Sequence, residues 1–166
     1  EVQREYIKIG EDNGANKGYK CRIRKKWYSV PSIWIPDAFL LRRSNVYPKF
    51  VLNGIDAVST DTMHRIKIKY EYDNKKILLS YYNSISFAFT ELCGRSYGGG
   101  VLEILPKEAE NIIIPNIDNM DEQNVNRLIG ILDDNIRNKK YIREAIRIMD
   151  KEILENYLWI SADTIN

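Results

Sequence analysis

Two segments of the chain alternate between apolar and cationic residues, with the period of two that is typical of a strand with one face in the core. The first lies within Lys17–Pro31, where Tyr19, Cys21 and Ile23 alternate with Lys20, Arg22 and Arg24. The second is Met63–Tyr70, where His64, Ile66, Ile68 and Tyr70 alternate with Arg65, Lys67 and Lys69. If both strands belong to one sheet, that sheet presents a broad cationic face.

Shorter apolar runs, bounded by proline, glycine and asparagine, predict further strands. They are Asp37–Arg43, Lys49–Leu52, Val101–Leu105 and Ile112–Pro115. Between the first of these strands and the cationic segment, Pro31 and Pro36 predict a short irregular link.

Apolar residues at helical spacing predict the helices. Val2, Tyr6 and Ile9 share one face of a first helix, for which Gly10 is a natural end. The strongest pattern runs from Ile77 to Leu92 and predicts one long core helix that packs on the sheet. Two amphipathic helices follow and form a hairpin; their apolar positions are Val125, Leu128, Ile129, Leu132 and Ile136, then Tyr141, Ala145, Ile148, Met149 and Ile153.

These elements predict an α+β fold, with a mixed twisted sheet, a packed core helix and a C-terminal helical hairpin. A chain of 166 residues is long enough for one well-buried domain. We expect a first part at residues 1–116 and the hairpin at residues 117–166, either in the same compact unit or as a small appendage. The first residue is Glu1 and not methionine, which suggests a fragment of a longer protein.

The charge of the chain is small overall but uneven along the sequence. The net charge is +2, yet residues 17–49 carry nine Lys or Arg against one acid, which gives +8 there and −6 elsewhere. Such a distribution is typical of a protein that binds a polyanion with one face. Trp27 and Tyr28 directly follow the cationic row, and aromatic rings can stack on bases. A solvated strand edge with both rings in the core is the alternative.

Several classes of protein and site are not indicated. No segment is long and apolar enough to span a membrane and no signal peptide is present, so we expect a cytoplasmic protein. Cys21 and Cys93 show no disulfide framework, and His64 stands without a paired-cysteine motif, so no metal site is predicted. His64 falls on the apolar side of its strand, which favours a structural role. No catalytic residues are predicted, because no nucleophile–base pair, P-loop or dinucleotide loop is present.

The stretch Gly94–Gly100, GRSYGGG, follows the predicted core helix. Glycines allow a backbone to approach a ligand closely, and their N–H groups can surround an anion. Arg95 and Tyr97 within the stretch favour contact with a ligand, whereas a mobile connector is the alternative.

Three stretches resemble, in order, the C-terminal part of adenine-specific DNA methyltransferases of bacterial restriction–modification systems. They are YKCRIRKKWYSVPS, PDAFLLRR and NSISFAFTELCGRSYGGGVLEILPKEAENIIIPN, within a resemblance that covers Tyr6 to Asn116. In that family the N-terminal half binds S-adenosylmethionine and carries an Asn-Pro-Pro-Tyr motif at the flipped adenine, and the C-terminal half is a target recognition domain. This chain contains no Pro-Pro dipeptide and no cofactor glycine motif, so the catalytic half is absent from it.

The resemblance implies that this chain recognises a DNA sequence and does not itself transfer a methyl group. Its implied partners are double-stranded DNA and the N-terminal methyltransferase domain of the same protein; a second copy or a restriction subunit are candidates for the hairpin. S-adenosylmethionine is implied as the cofactor of the full-length protein, a DNA adenine methyltransferase, and no cofactor is expected in this fragment.

The residues of the implied DNA-binding site divide by expected role. The cations expected to contact phosphates are Lys20, Arg22, Arg24, Lys25 and Lys26. The residues expected to reach base edges are among Trp27, Tyr28, Arg42, Arg43, Asn45, Arg95 and Tyr97. Lys17, Gly98 and Gly99 complete the predicted set.

Two other functions compete with this interpretation. A protein-interaction module would use the helical hairpin as its working surface and would not bind duplexes. A metal-dependent nuclease is suggested by Asp37 and the later Asp73-Asn74-Lys75, a faint version of paired metal-binding acids with a lysine. RNA is also compatible with the charge and the aromatic residues, and only the resemblance favours DNA.

Overall fold

The computed structural model describes residues 1–139 and 142–165, and the chain forms two compact units. Unit 1 comprises Glu1–Trp34 and unit 2 comprises Ile35–Asn166. The boundary between them lies in the irregular stretch between Pro31 and Pro36, where the sequence predicts a link. Unit 2 contains both the strands and the helical hairpin.

Unit 1 is helical. It consists of α1 (Val2–Asp12), a 3-10 turn at Ala15–Lys17, and the short α2 (Tyr19–Arg22). The predicted first helix is confirmed, but it continues past Gly10 to Asp12. Gly10 is needed there for a different reason: a Cβ atom at this position would lie 2.6 Å from Cη2 of Trp27, whose ring covers the helix at that point.

The strand predicted within Lys17–Pro31 is wrong. Tyr19–Arg22 is helical, and turns follow it. The backbone N–H groups of Cys21 and Arg22 both donate to the carbonyl oxygen of Gly18, at 2.9 and 3.0 Å. Residues 1–34, all of which the structure describes, contain no strand with which this segment could pair, and an unpaired strand would leave its backbone groups unsatisfied. The broad cationic face of a shared sheet is therefore also wrong.

Unit 2 contains two antiparallel sheets, each of three strands within the described residues. The strands are β1 (Ala38–Leu41), β2 (Arg43–Ser44), β3 (Phe50–Leu52), β4 (Met63–Ile66), β5 (Arg95–Tyr97) and β6 (Val101–Glu103). The first sheet has the order β3-β1-β4 and the second has the order β2-β6-β5. The α+β class is confirmed, with two antiparallel sheets where the sequence predicts one mixed sheet.

Two predicted strands differ from the structure. β4 covers only the first half of Met63–Tyr70, because beyond Ile66 the Asp37 carboxylate accepts the N–H of Ile68 at 2.8 Å, in place of a strand partner. Tyr70, which the alternation assigns to the apolar side, is fully exposed. The strand predicted at Ile112–Pro115 is absent from the described structure; Ile112 and Ile114 pack on the core from an irregular segment.

The long helix predicted from Ile77 to Leu92 is two helices, α3 (Asn74–Tyr81) and α4 (Ser84–Cys93). Asn83 causes the break, because its backbone is extended and its side-chain oxygen accepts the N–H of Ser86 at 2.9 Å. Its side-chain nitrogen donates to the carbonyl oxygen of Ser80 at 2.7 Å, which joins the end of α3 to the start of α4. Apolar spacing alone conceals this cap.

Tyr81 and Tyr82 belong to the core cluster and Phe87 packs against it, whereas Leu92, at the end of the predicted helical pattern, is 79% exposed. Tyr81 and Tyr82 are buried, and the hydroxyl of Tyr82 donates to the carbonyl oxygen of Phe50 at 2.9 Å. Burial raises the pKa of Tyr81 to about 12, so this residue stays neutral at physiological pH.

The C-terminal helical hairpin is confirmed. After the short α5 (Pro106–Ala109), it comprises α6 (Glu122–Asp133), π-helical turns at Asp134–Lys139, α7 (Ile142–Met149), further π-helical turns at Asp150–Tyr157, and α8 (Ala162–Ile165). The predicted apolar positions Val125, Leu128, Leu132, Ala145, Met149 and Ile153 are buried in the same core as the first sheet. Tyr141, assigned to this face by its spacing, lies outside the described residues. No described helix is long and apolar enough to cross a membrane.

Asp150 joins the hairpin to α4, since its Oδ1 accepts the N–H of Ser84 at 2.8 Å. Burial raises the pKa of Asp150 above its ordinary value, although the hydrogen bond from Ser84 opposes this rise. Because the raised pKa means that the folded state disfavours the ionised carboxylate, this residue lowers stability in full above that pKa. The loss shrinks as the pH falls from the raised pKa towards the ordinary one and is absent below the ordinary one.

We therefore expect Asp150→Asn to increase the free energy of unfolding at neutral pH, since the amide keeps an oxygen acceptor for Ser84 without the charge. The advantage over the parent chain should shrink as the pH falls below the raised pKa and should be absent below the ordinary pKa of an aspartate, where Asp150 is neutral in both the folded and the unfolded state. Urea unfolding at neutral and acidic pH measures both values. A variant less stable than the parent at neutral pH would contradict this expectation.

Candidate nucleic-acid interface

The basic segment, residues 17–26, carries the cations of unit 1 that belong to the predicted DNA-binding set. These are Lys17, Lys20, Arg22, Arg24, Lys25 and Lys26, of which Arg24 is half-buried and the others are exposed. Lys17 ends the 3-10 turn, Lys20 and Arg22 lie on α2, and the other three follow in turns. Their side chains have no hydrogen-bond or ion-pair partner among the residues that the structure describes. They are therefore available to an external anion.

Trp27 anchors the end of the basic segment to α1. Its indole N–H donates to Oε1 of Glu11 at 3.0 Å, and its ring lies against Gly10. Tyr28 meets the Trp27 ring edge-on, with 5.8 Å between the ring centroids, and is itself exposed. Trp27 thus holds the segment in place, and Tyr28 is the ring of the pair that is more open to a stacking partner.

The arginine sheet, formed by β2, β6 and β5, collects most of the candidate residues of unit 2. In its register Arg43 of β2 and Arg95 of β5 both lie opposite Glu103 of β6. Glu103 is only 5% exposed and its Oε1 accepts from Nε of Arg42 at 3.1 Å and from Nε of Arg43 at 2.9 Å.

Desolvation raises the pKa of Glu103, but hydrogen bonds from Arg43 and Tyr97 and the charges of Arg43 and Arg42 together outweigh it. The pKa consequently lies below its ordinary value, and the carboxylate is ionised at neutral pH.

Arg95 has a carboxylate partner of its own. Its Nε donates to Oε1 of Glu108 at 2.7 Å, while Oε2 of Glu108 accepts the N–H of Leu105 at 2.8 Å at the start of α5. The N–H of Leu105 and then Arg95 hold the pKa of Glu108 below its usual range, against the effect of desolvation. Both carboxylate oxygens are therefore engaged, and Glu108 is a fixed point beside the half-exposed Arg95.

The glycine run Gly98–Gly100 forms the turn of the β-hairpin made by β5 and β6, where Tyr97 pairs with Val101. Gly99 and Gly100 have φ values of 80° and 75°, which L side chains rarely adopt. A Cβ atom at Gly98 would meet no atom within 4 Å, so the tip is open on that side. Tyr97 is 52% exposed beside it. The stretch Gly94–Gly100 thus includes the strand β5.

The structure therefore brings Arg43, Arg95, Tyr97, Gly98 and Gly99 onto one sheet and its turn, with Arg42 directly before β2 and the exposed Asn45 directly after it. The candidates from Lys17 to Tyr28 belong to unit 1. Glu103 and Glu108, which sequence reasoning missed, carry only weak signals. One is an acid inside an apolar strand, and the other lies three residues after Leu105, a spacing typical of a residue that caps a helix start.

The residues that suggested a nuclease have structural partners. Asp37 binds Lys67 and Ile68, Asp73 caps α3 by accepting the N–H of Lys76 at 2.9 Å, and Lys75 donates to the side chain of Asn126. Among the described residues, no three His, Cys, Asp or Glu side chains gather in a group that could hold a metal ion.

His64 lies on β4 and is partly buried. One of its ring nitrogens, Nε2, is 2.7 Å from the carbonyl oxygen of Ile104, which is the structural role that its position on the apolar side of a strand predicts.

Comparison with known proteins gives two matches. A family model described as the C-terminal domain of the type II methyltransferase M.Eco57I matches residues 1–154. The type II methyltransferase M.XamI of Xanthomonas campestris pv. amaranthicola is 29% identical over 111 residues, which are 65% of this chain and 20% of the relative. The chain thus spans about a fifth of the length of that relative. No solved structure matches the chain.

Proposed function

The chain belongs to the family of C-terminal domains represented by the type II methyltransferase M.Eco57I, and from this premise we propose that it is a DNA target recognition domain. The whole protein would be an adenine-specific methyltransferase of a restriction–modification system, which acts on DNA in the cytoplasm with S-adenosylmethionine as methyl donor. The part of the protein outside this chain would bind the cofactor and complete base flipping. This chain would select the sequence.

The observation that carries the proposal is the separation of two kinds of cation. The cations of the basic segment have no partner among the described residues, as a phosphate-binding surface requires. The arginines of the arginine sheet are instead each held by a carboxylate, beside an exposed tyrosine and an open glycine turn. Phosphate contacts fix position and base contacts supply specificity, so the two groups fit the two roles.

The partners follow from the same proposal. Double-stranded DNA is the ligand, and the methyltransferase part of the same protein is the covalent partner. A second copy or a restriction subunit would meet the helical hairpin. Fluorescence anisotropy of a labelled duplex with the 166-residue chain, at low and moderate salt, tests the ligand. We expect binding that weakens steeply with salt. Absence of binding at low salt would contradict the proposal.

Single substitutions separate the two roles. Arg95→Ala is expected to relax the preference at one base pair, with a loss of about 1–3 kcal/mol of discrimination. Lys20→Ala is expected to weaken all duplexes alike and to reduce the salt slope by about one unit. The measurement is the affinity for a preferred and for a random duplex at several salt concentrations. If both variants lose affinity equally for the two duplexes, the division of roles is wrong.

A further inference from the structure

The three arginines of the arginine sheet are all held through the same atom. Nε of Arg42 and Nε of Arg43 donate to Glu103, and Nε of Arg95 donates to Glu108 at 2.7 Å. The partner carboxylates are much less exposed than the arginines that they bind: the side chains of Glu103 and Glu108 are 7% and 18% exposed, against 67% for Arg43 and 56% for Arg95. Each guanidinium is thus bound at Nε by a carboxylate that is more buried than itself, and Arg43 and Arg95 are more exposed than Arg42, whose side chain is 35% exposed.

A guanidinium carries five N–H donors in one plane, and a guanine edge presents two acceptors that two parallel N–H groups can meet. A bond at Nε occupies the edge nearest the chain and fixes the plane of the fork. Arg42 and Arg95 make their carboxylate bonds through Nε alone, and the side chain of Tyr97 also interacts with Arg95, whereas Arg43 also places Nη2 2.9 Å from Glu103. A fork that is already oriented loses less side-chain entropy when it binds.

The charges of these residues argue against a sheet that only attracts phosphates. Three arginines with two carboxylates leave a net charge of only +1, so two-thirds of the cationic charge is neutralised before DNA arrives. A surface that only attracts phosphates would be stronger without these acids. In the basic segment, where phosphate contact is proposed, no acid pairs with the described cations. Carboxylates thus pair with the arginines of the arginine sheet, where the orientation of a guanidinium would matter for base contacts.

We infer that Glu103 and Glu108 are positioning residues that orient Arg42, Arg43 and Arg95 to read base edges, an assignment that rests on the proposed DNA recognition. Glu108 is held by the N–H of Leu105, and Glu103 is held at the centre of the three strands. Neither carboxylate touches the base itself. Each sets the plane of an arginine that does.

Glu108→Gln is the informative variant, because the amide oxygen can still accept the N–H of Leu105 while the charged acceptor for Arg95 is lost. We expect affinity for a random duplex to rise severalfold, because a negative charge is removed from the interface. Affinity for the preferred duplex should not rise by the same factor, because Arg95 is no longer oriented. The ratio of the affinity for the preferred duplex to the affinity for the random duplex should therefore fall by about tenfold. A residue with a merely structural role would lower both affinities together.

Glu110→Gln is the matched control, since it removes the same charge from an exposed residue two positions away. It should raise both affinities slightly and leave the ratio unchanged. In an Arg95→Ala background, Glu108→Gln should cause no further loss of discrimination, because Glu108 acts through Arg95. Thermal unfolding of each variant verifies that it is folded.

An unchanged ratio in Glu108→Gln, as in Glu110→Gln, would overturn the assignment while the proposed function stands. A further tenfold loss in the Arg95→Ala background would also overturn it. If the parent chain itself shows no sequence preference, the proposed recognition of sequence fails, and the assignment fails with it. The behaviour of the parent chain therefore shows whether only the assignment has failed or the proposed function as well.

Discussion

Replacement of five cations of the basic segment by glutamine is expected to lower the affinity for every duplex on the order of a hundredfold or more at moderate salt. The five are Lys20, Arg22, Arg24, Lys25 and Lys26, and none has a partner among the described side chains. Each phosphate contact releases about 0.9 counterions from B-DNA, so five lost contacts should flatten the salt slope by about 4 to 5 units. The measurement is a salt titration of duplex binding by fluorescence anisotropy.

The control for net charge lies in the same unit. Lys25 and Lys26 changed together to glutamine should weaken binding and flatten the salt slope by about two units. The control variant changes Arg4 and Lys8, two exposed cations of α1, to glutamine, which removes the same charge. This variant should change the duplex affinity and the salt slope much less. Equal losses in the two double variants would mean that overall charge attracts DNA and that the basic segment is not a specific contact surface.

Leu79→Ala is expected to lower the free energy of unfolding of unit 2 by about 3 kcal/mol, within the usual range of about 2–5 kcal/mol for a buried leucine. Leu79 is 0% exposed and lies in α3, within the core cluster that contains Phe50 of the first sheet and Leu128 of the hairpin. Truncation would leave a cavity at a place where sheet and helices meet. Urea unfolding, followed by circular dichroism, measures the change.

Leu92→Ala is the matched control, because Leu92 lies in α4 with 79% of its surface exposed. The same substitution there should change stability by about 0.5 kcal/mol or less. A Leu79→Ala variant as stable as Leu92→Ala would contradict the described core. Below its unfolding transition, Leu79→Ala should bind duplexes as the parent does, since the fold and not the interface is affected.

Amphipathic patterns predicted the elements that are defined by a core. The helices α6 and α7 and the strands β1 and β3 were predicted because their apolar residues must face one side to be buried. The same reasoning failed for Tyr19–Arg22, where Tyr19 and Ile23 are exposed and no core imposes a period. Alternation in an exposed segment therefore carries no information about a sheet.

The break between α3 and α4 shows a different limit. The residues on both sides of Asn83 continue the apolar spacing, so the period alone predicts one helix. The break depends on one side chain that bonds Ser80 and Ser86 together. The capping residues asparagine and serine are the local signal for it.

The candidate site was predictable only in part. Arg42, Arg43 and Arg95 could be selected as cations within the resembling stretches. Their carboxylate partners could not, because Arg42 and Arg43 are 61 and 60 residues from Glu103 and meet it only through the register of the strands. Local sequence shows which residues can bind DNA, while tertiary structure shows which of them are already paired.

The most direct test of sequence recognition is selection of duplexes from a randomised library by the 166-residue chain, at low and at moderate salt. We expect one short motif to be enriched at both, and Arg95→Ala to lose the preference at one position of that motif. Recovery of no duplex at either salt concentration would contradict recognition of DNA by this chain.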